Sequence, residues 1–263
     1  MGKEKMMCKK DSTRKIYSKD ELNNILSNAT GTNMSFFYRE PCVVNDTVVN
    51  DTGKICYEFI TEYLLEHLYL FSSTSIPKVA RKSIGNCQYI QESHDGLLSA
   101  KQRERIQKDE VVFAMSLLGS ELGDLGKVID YQTPIGDGKF GAVDLLAYNK
   151  GVLPLIELKR EDSQEPMLRP ILEICTYFWQ LNKGEELKNE LKEKPEYKDI
   201  KKVQMAVLVF KNSFQYNQYK NPESTSLRQL VEKLGINIFI FENVKYVENE
   251  KYMVTDITQK TTP

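Results

Sequence analysis

Residues 142–159 read AVDLLAYNKGVLPLIELK. Two apolar runs, 142–148 and 152–159, flank Asn149, Lys150 and Gly151. The gap is too short for a crossover helix, so the runs form an antiparallel hairpin. With Lys150-Gly151 as the loop, Asn149 pairs with Val152, and counting back sets Asp144 directly opposite Glu157. Opposed residues carry Cβ atoms only about 4.5–5.5 Å apart. Lys159 stands two residues beyond Glu157, so it emerges on the same face. Two carboxylates facing each other in an apolar sheet repel and lose hydration. A divalent cation between them reverses the sign of that interaction. The pattern suits metal-assisted hydrolysis of a phosphodiester, with the lysine orienting a water.

Outward from this hairpin the pattern alternates. A helix is expected over 101–118, a strand over 126–133 and a Gly-rich turn, PIGDGKFG, at 134–141. Beyond the hairpin come a helix over 167–182, with Gly184 past its end, and a strand at 203–210, VQMAVLVF. That strand is almost continuously apolar, as expected when both sheet faces are covered. A polar helix at 223–234, a strand at 236–242 and a ribbon at 245–258 complete the chain. The order helix, three strands, helix, strand predicts an α/β sandwich around a mixed sheet. The turn GDGKFG lacks GxxxxGK[ST] and a following helix, so it reads as hairpin geometry and not as a phosphate loop.

Upstream the signals are weaker. Residues 1–33 are polar, with a short helix expected at 18–27, capped by Ser18 and Glu21. Residues 34–44, MSFFYREPCVV, read as a strand broken near Pro41, and 45–54 as a turn region. Residues 55–71 read as a helix apolar on more than one face, packed in the core or in a dimer interface. Residues 72–100 are loop-rich. A boundary near residue 100 is expected, with an accessory region over 1–100 and the main domain over 101–263.

Composition narrows the chemistry. The chain has 263 residues, 41% hydrophobic and 28% charged, as in ordinary globular proteins. No apolar run reaches the roughly 20 residues of a membrane span. The start, MGKEKMMCKK, has no apolar stretch behind it and is not read as a secretory signal, so a cytoplasmic protein is expected. Cys8, Cys42, Cys56, Cys87 and Cys175 show no CxxC spacing, which argues against a structural zinc or a disulfide framework. His67 and His94 are the only histidines, so any metal is a hard cation held by carboxylates. The net charge of −1 gives no support to nucleic-acid binding and does not exclude it.

With Asp144 in GAVDLL and Glu157-Leu158-Lys159 in LIELK, the segment resembles the PD-(D/E)xK, or restriction-endonuclease-like, nuclease superfamily. The resemblance covers residues 101 to 210. It implies a core of order α-β-β-β-α-β, Mg²⁺ or Mn²⁺ bound by Asp144 and Glu157, and Lys159 assisting the attacking water. Many members carry an acidic residue on the helix before the first core strand, and Glu110 looks like it, as a further ligand. The alternative is that Glu110 borders the apolar stripe and reaches solvent. The helix after LIELK carries a polar line of Arg169, Glu173, Tyr177 and Gln180. Some branches place Gln-x-x-x-Tyr there, beside the active site. Here Glu173 replaces Gln, and a merely solvated helix face is the alternative. Arg160, Arg169 and Lys139 are candidates for phosphate contacts. The function expected from the resemblance is a Mg²⁺-dependent nuclease, an endonuclease with nucleic acid as partner, DNA favoured over RNA. The rival is a catalytically silent nuclease-fold module that binds nucleic acid or a protein.

Overall fold

The structure is a computed structural model that describes residues 15–32, 34–45, 47–50, 52–79, 94, 96–103, 109–136, 140–247 and 251–260. Its strands are β1 (Tyr17–Ser18), β2 (Val49–Asn50), β3 (Lys127–Pro134), β4 (Ala142–Tyr148), β5 (Val152–Leu158), β6 (Lys202–Phe210), β7 (Ile236–Val247) and β8 (Lys251–Lys260). Its helices are α1 (Lys19–Thr32), α2 (Pro41–Val44), α3 (Cys56–Glu66), α4 (Ala100–Arg103), α5 (Glu110–Ser116), α6 (Leu168–Gln180), α7 (Glu185–Lys192), α8 (Phe214–Lys220) and α9 (Thr225–Leu234).

Strands β3 to β8 make one mixed sheet in sequence order. β3, β4 and β5 run antiparallel as a meander, β6 and β7 continue parallel to β5, and β8 folds back on β7. The α5–β3–β4–β5–α6–β6 order follows the sequence pattern, and the chain is a mixed α/β protein with helices on both sheet faces. On one face Val112 and Phe113 of α5, with Leu117 just past its end, pack over Leu145, Ile156, Leu158 and Leu208. On the other, Ile171, Ile174 and Cys175 of α6 pack with Leu153, Leu155 and Val207. β5 thus buries alternate residues on opposite faces, which is why its sequence is apolar almost throughout.

The α6 face also carries the N-terminal elements. Tyr17, Leu22, Phe37, Tyr38, Ile60 and Leu64 belong to the same hydrophobic cluster as α6 and β6. Tyr57 and Ser224 join α3 to α9 by a hydroxyl hydrogen bond of 3.0 Å. The expected boundary near residue 100 therefore does not separate two cores. Cys56, Tyr57, Ile60 and Leu64 of α3 are buried in this cluster, and Phe59, Tyr63 and Leu65 are half-buried against it.

Local expectations fare unevenly. The capping box at Ser18 and Glu21 is present, with reciprocal bonds of 2.9 and 3.1 Å. The strand expected at 34–44 is instead a 3-10 turn, Met34–Arg39, followed by α2. Pro41 occupies the first turn of α2, where its fixed φ and missing N–H are tolerated. The helix expected at 55–71 ends at Glu66, where His67 leaves helical geometry, and a 3-10 turn follows at Leu68–Leu70. The helix expected at 101–118 becomes α4 and α5, with residues 104–108 outside the described residues. Asp109 starts α5 by accepting from the Val112 N–H. Helices α7 and α8 are additions that polar composition concealed. No helix among the described residues is long and apolar enough to cross a membrane.

The hairpin forms as counted. Asn149 bridges Val152, and Leu145 and Leu146 pair with Ile156 and Leu155. The two loop residues have φ of +46° at Lys150 and +84° at Gly151, the signs a type I′ turn requires. A Cβ at Gly151 would also lie 3.0 Å from the Asp199 carbonyl. Gly151→Ala should therefore lower stability by about 1–2 kcal/mol in urea denaturation. Lys150→Asn should raise it, because asparagine enters the left-handed region more readily. An unchanged midpoint for Gly151→Ala would count against the turn.

Candidate active site

The register of the hairpin carries Asp144 opposite Glu157, and alternation carries Lys159 to the same face. All three are buried, at 7%, 2% and 3% exposure. On the other side of Asp144, β3 presents Gln132, since Tyr131 pairs with Leu145 and Thr133 with Val143. Gln132 has φ of +47°, unusual for a non-glycine strand residue. Its amide donates to Asp144 Oδ1 at 2.7 Å, and the Leu158 backbone N–H donates to Oδ2 at 2.9 Å. The side chain of Asp144 thus substitutes for a strand partner at the end of the β4–β5 ladder. Lys159 is fixed by its own N–H, which donates to the Leu208 carbonyl at 3.0 Å.

The Lys159 ammonium donates to Glu157 Oε1 at 2.7 Å. Three further carboxylates surround it: Glu110 at 3.5 Å, Glu165 at 3.8 Å and Glu173 at 3.9 Å. Glu110 arrives from the first turn of α5 rather than from mid-helix. Glu173 arrives from α6, where Tyr177 donates to its Oε1 at 2.8 Å. The polar line on α6 is therefore largely turned inward, and the solvated-face alternative does not hold for Glu173 and Tyr177. Gln180 is also buried, yet its side-chain amide makes no hydrogen bond to the cluster. Arg169 pairs with Glu165 and lies 3.9 Å from Glu173. Arg160 pairs with Asp162 at 2.5 Å, and Lys139 falls outside the described residues.

Sequence reasoning missed Glu165, Gln132 and Tyr38. The Tyr38 hydroxyl meets that of Tyr177 at 3.3 Å and accepts from Arg39 Nε at 3.0 Å. A count across the β3–β4 pair would have found Gln132 once that register was known. Nothing local to residues 34–44 or to the 160–167 loop announces the other two.

Five carboxylates share one buried lysine and one arginine, so the cluster is short of positive charge. Burial raises the pKa of Asp144, with the charges of Glu110 and Glu173 adding to it against Lys159 and the Leu158 N–H. Burial raises Glu157 well above the usual carboxylate range, and Asp144 and Glu173 push the same way. Burial alone would drive Lys159 to shed its proton; Glu157, Glu110, Asp144 and Glu173 outweigh it and hold the ammonium charged. Two buried carboxylate oxygens, Glu157 Oε2 and Glu173 Oε2, accept no hydrogen bond.

A hard divalent cation fits this donor set. It would take oxygens of Asp144 and Glu157, the orphaned Glu157 Oε2 first, and supply the missing positive charge. Among the described residues no group of three or more His, Cys, Asp or Glu side chains forms a metal cage. Mg²⁺ is commonly held by one or two carboxylates with water completing its shell. No family model, no curated protein and no solved structure matches the chain.

Without metal, Asp144 and Glu157 hold protons more tightly in the folded than in the unfolded chain. Their contribution to stability is complete below the unfolded values, near 4, and is lost as pH rises through the raised folded values. The melting temperature in EDTA should therefore fall between pH 5 and pH 8. Asp144→Asn should flatten that fall, because Gln132 can turn its amide and keep both bonds to the new side chain. Parallel profiles for mutant and wild type would show that Asp144 does not carry the raised pKa.

Proposed function

We propose that the chain is a metal-dependent nuclease of the PD-(D/E)xK type, hydrolysing phosphodiester bonds in nucleic acid, DNA in preference to RNA. The observation that carries this reading is the register that opposes buried Asp144 and Glu157, with the Lys159 ammonium 2.7 Å from Glu157. The α5–β3–β4–β5–α6–β6 order supports a restriction-endonuclease-like core around them. On this reading Asp144 and Glu157 would hold the metal, and Glu110, whose Oε1 lies 3.5 Å from the Lys159 ammonium, is the further candidate ligand. Mg²⁺ or Mn²⁺ held there would supply Lewis acidity toward the phosphate and lower the pKa of a water.

The chain's own groups then divide the remaining work. Lys159 stays an ammonium, so it is a hydrogen-bond donor and not a general base. It can hold the attacking water and stabilise charge gathering on a phosphate oxygen. Gln132 and the Leu158 N–H fix the Asp144 carboxylate, and Tyr177 fixes Glu173 beside the lysine. Residues 159–167 are anchored from α8. There the Gln215 amide donates to the Ser163 and Glu165 carbonyls, at 3.2 and 2.7 Å, and Gln218 accepts from the Met167 N–H at 2.7 Å.

A second reading draws on the same ion pair. Glu157 and Lys159 partly neutralise each other without metal, which a catalytically silent binding module also requires. Calorimetry with Mn²⁺ separates the two, since a silent module need not bind it.

Purified protein should cleave DNA with Mg²⁺ or Mn²⁺ and stop in EDTA; cleavage that persists in excess chelator removes the metal mechanism. Lys159→Ala should abolish turnover while Mn²⁺ affinity survives. Lys159→Arg should not restore it, because the guanidinium differs in shape and proton placement. At 100 times its dissociation constant Mn²⁺ should stabilise wild type by about 2.7 kcal/mol, and Asp144→Asn far less. Equal Mn²⁺ responses in the two proteins would place the metal elsewhere.

A further inference from the structure

Beside the carboxylate cluster the 3-10 turn Met34–Arg39 and the residues just before β4 bring three chemistry-bearing side chains to one spot. Phe36 is 38% exposed, although it belongs to a segment whose other aromatics, Phe37 and Tyr38, are buried. Its ring stacks on Phe140, with centroids 5.7 Å apart and planes at 18°. The Arg39 guanidinium, on an exposed residue, lies 4.9 Å from the Phe36 centroid.

This surface group is wired to the site. Arg39 donates to the Tyr38 hydroxyl, Tyr38 meets Tyr177, and Tyr177 holds Glu173, which faces Lys159. Tyr38 also donates to the Phe140 carbonyl at 3.5 Å. Gly141, next to Phe140, has φ of +99°, and a Cβ there would stand 2.4 Å from the Tyr177 hydroxyl. Only a glycine lets the chain bring Phe140 this close to Tyr177. Phe140 precedes Asp144 by four residues, a span of no more than about 14 Å.

Resting on the nuclease reading, we infer that Phe36, Phe140 and Arg39 form a platform for an unpaired nucleobase and its phosphate, so that the preferred substrate is single-stranded nucleic acid. Flat rings and guanidinium planes stack bases of any sequence, and a base inside a duplex cannot reach them. With 36 Lys and Arg against 37 Asp and Glu the chain has no overall excess of cations to grip a phosphate backbone, so stacking on these rings is the contribution that does not draw on net charge. An arginine beside the ring then supplies one local phosphate contact where the neighbouring carboxylates would repel.

The test is fluorescence anisotropy with the full chain in EDTA, where no cleavage occurs. The probes are an oligothymidylate, an oligouridylate and a duplex of equal length. The expected order is both single strands well ahead of the duplex; a gap between the two single strands shows whether the sugar is read in addition. Phe36→Ala should weaken single-strand binding by about fivefold to 150-fold. Phe36→Trp should restore it, which a mere packing role would not require. Arg39→Gln should lessen the salt dependence by about one phosphate contact, a change of about 0.7 in the slope of log K against log salt. A duplex bound as tightly as the single strands, or a Phe36→Ala protein that melts like wild type and binds like it, overturns the inference. Cleavage of the same oligonucleotides with Mg²⁺ is scored separately. Cleavage without Phe36 dependence sinks the platform and leaves the nuclease reading. Phe36-dependent binding without cleavage under Mg²⁺ or Mn²⁺ sinks the nuclease reading and leaves the platform.

Discussion

The two-residue turn at Lys150-Gly151 is the constraint on which the site depends. Side chains alternate along a strand, so a slip of one residue would carry Glu157 and Lys159 to the opposite sheet face from Asp144. It would also exchange Leu155 for Ile156 in both hydrophobic clusters. The same turn that positions the carboxylates therefore positions the core, and neither can shift without the other. The parallel pairing of β5 with β6 locks the second side. Glu157 is matched to Val207 and Leu158 to Leu208, and the Lys159 N–H is held by the Leu208 carbonyl.

Such a site opposes folding. Carboxylates held out of water must be protonated, paired or bound to a cation. The chain uses the first two in part: raised pKa values at Asp144 and Glu157, and one ammonium shared among four glutamates. The rest of the load falls on apolar packing around it, with Leu145, Ile156 and Leu158 on one face and Leu153, Leu155 and Ile174 on the other. The uncommon backbone of Gln132 belongs to the same balance. A left-handed residue in a strand costs about 1–3 kcal/mol, and here its amide holds Asp144 in place.

The sequence disclosed the parts that follow from periodicity and short turns. The apolar runs at 142–148, 152–158 and 203–210 and the two-residue loop Lys150-Gly151 together determine strands, register and the opposition of Asp144 to Glu157. Glu173 and Tyr177 were visible as a helical spacing, although only packing shows that they turn inward. The illegible parts depend on tertiary contact. Residues 34–44 are rich in the aromatic and β-branched side chains that favour strands, yet Pro41 favours the first turn of a helix and Tyr38 is drawn to Tyr177. Glu165 lies in a loop without periodicity, held in place by Gln215 from a helix fifty residues later. Helix α8, FQYNQYK, offers no apolar stripe to detect; its glutamines serve the loop instead of the core.

The N-terminal residues share a hydrophobic cluster with the main sheet's α6 side. Loops and polar stretches around residues 72–100 look like a linker, but a division between domains requires that few contacts cross it. Phe37, Tyr38, Ile60 and Leu64 lie in the cluster that covers the α6 face of the sheet. Removing them would uncover the sides of α6 and α9 that they pack against and leave the Tyr177 hydroxyl without its Tyr38 neighbour. Tyr177 is the group that orients Glu173, and Glu173 is one of the charges that keep Lys159 protonated. The described N-terminal residues thus reach the Lys159 cluster through the hydroxyls of Tyr38 and Tyr177, the second of which holds Glu173.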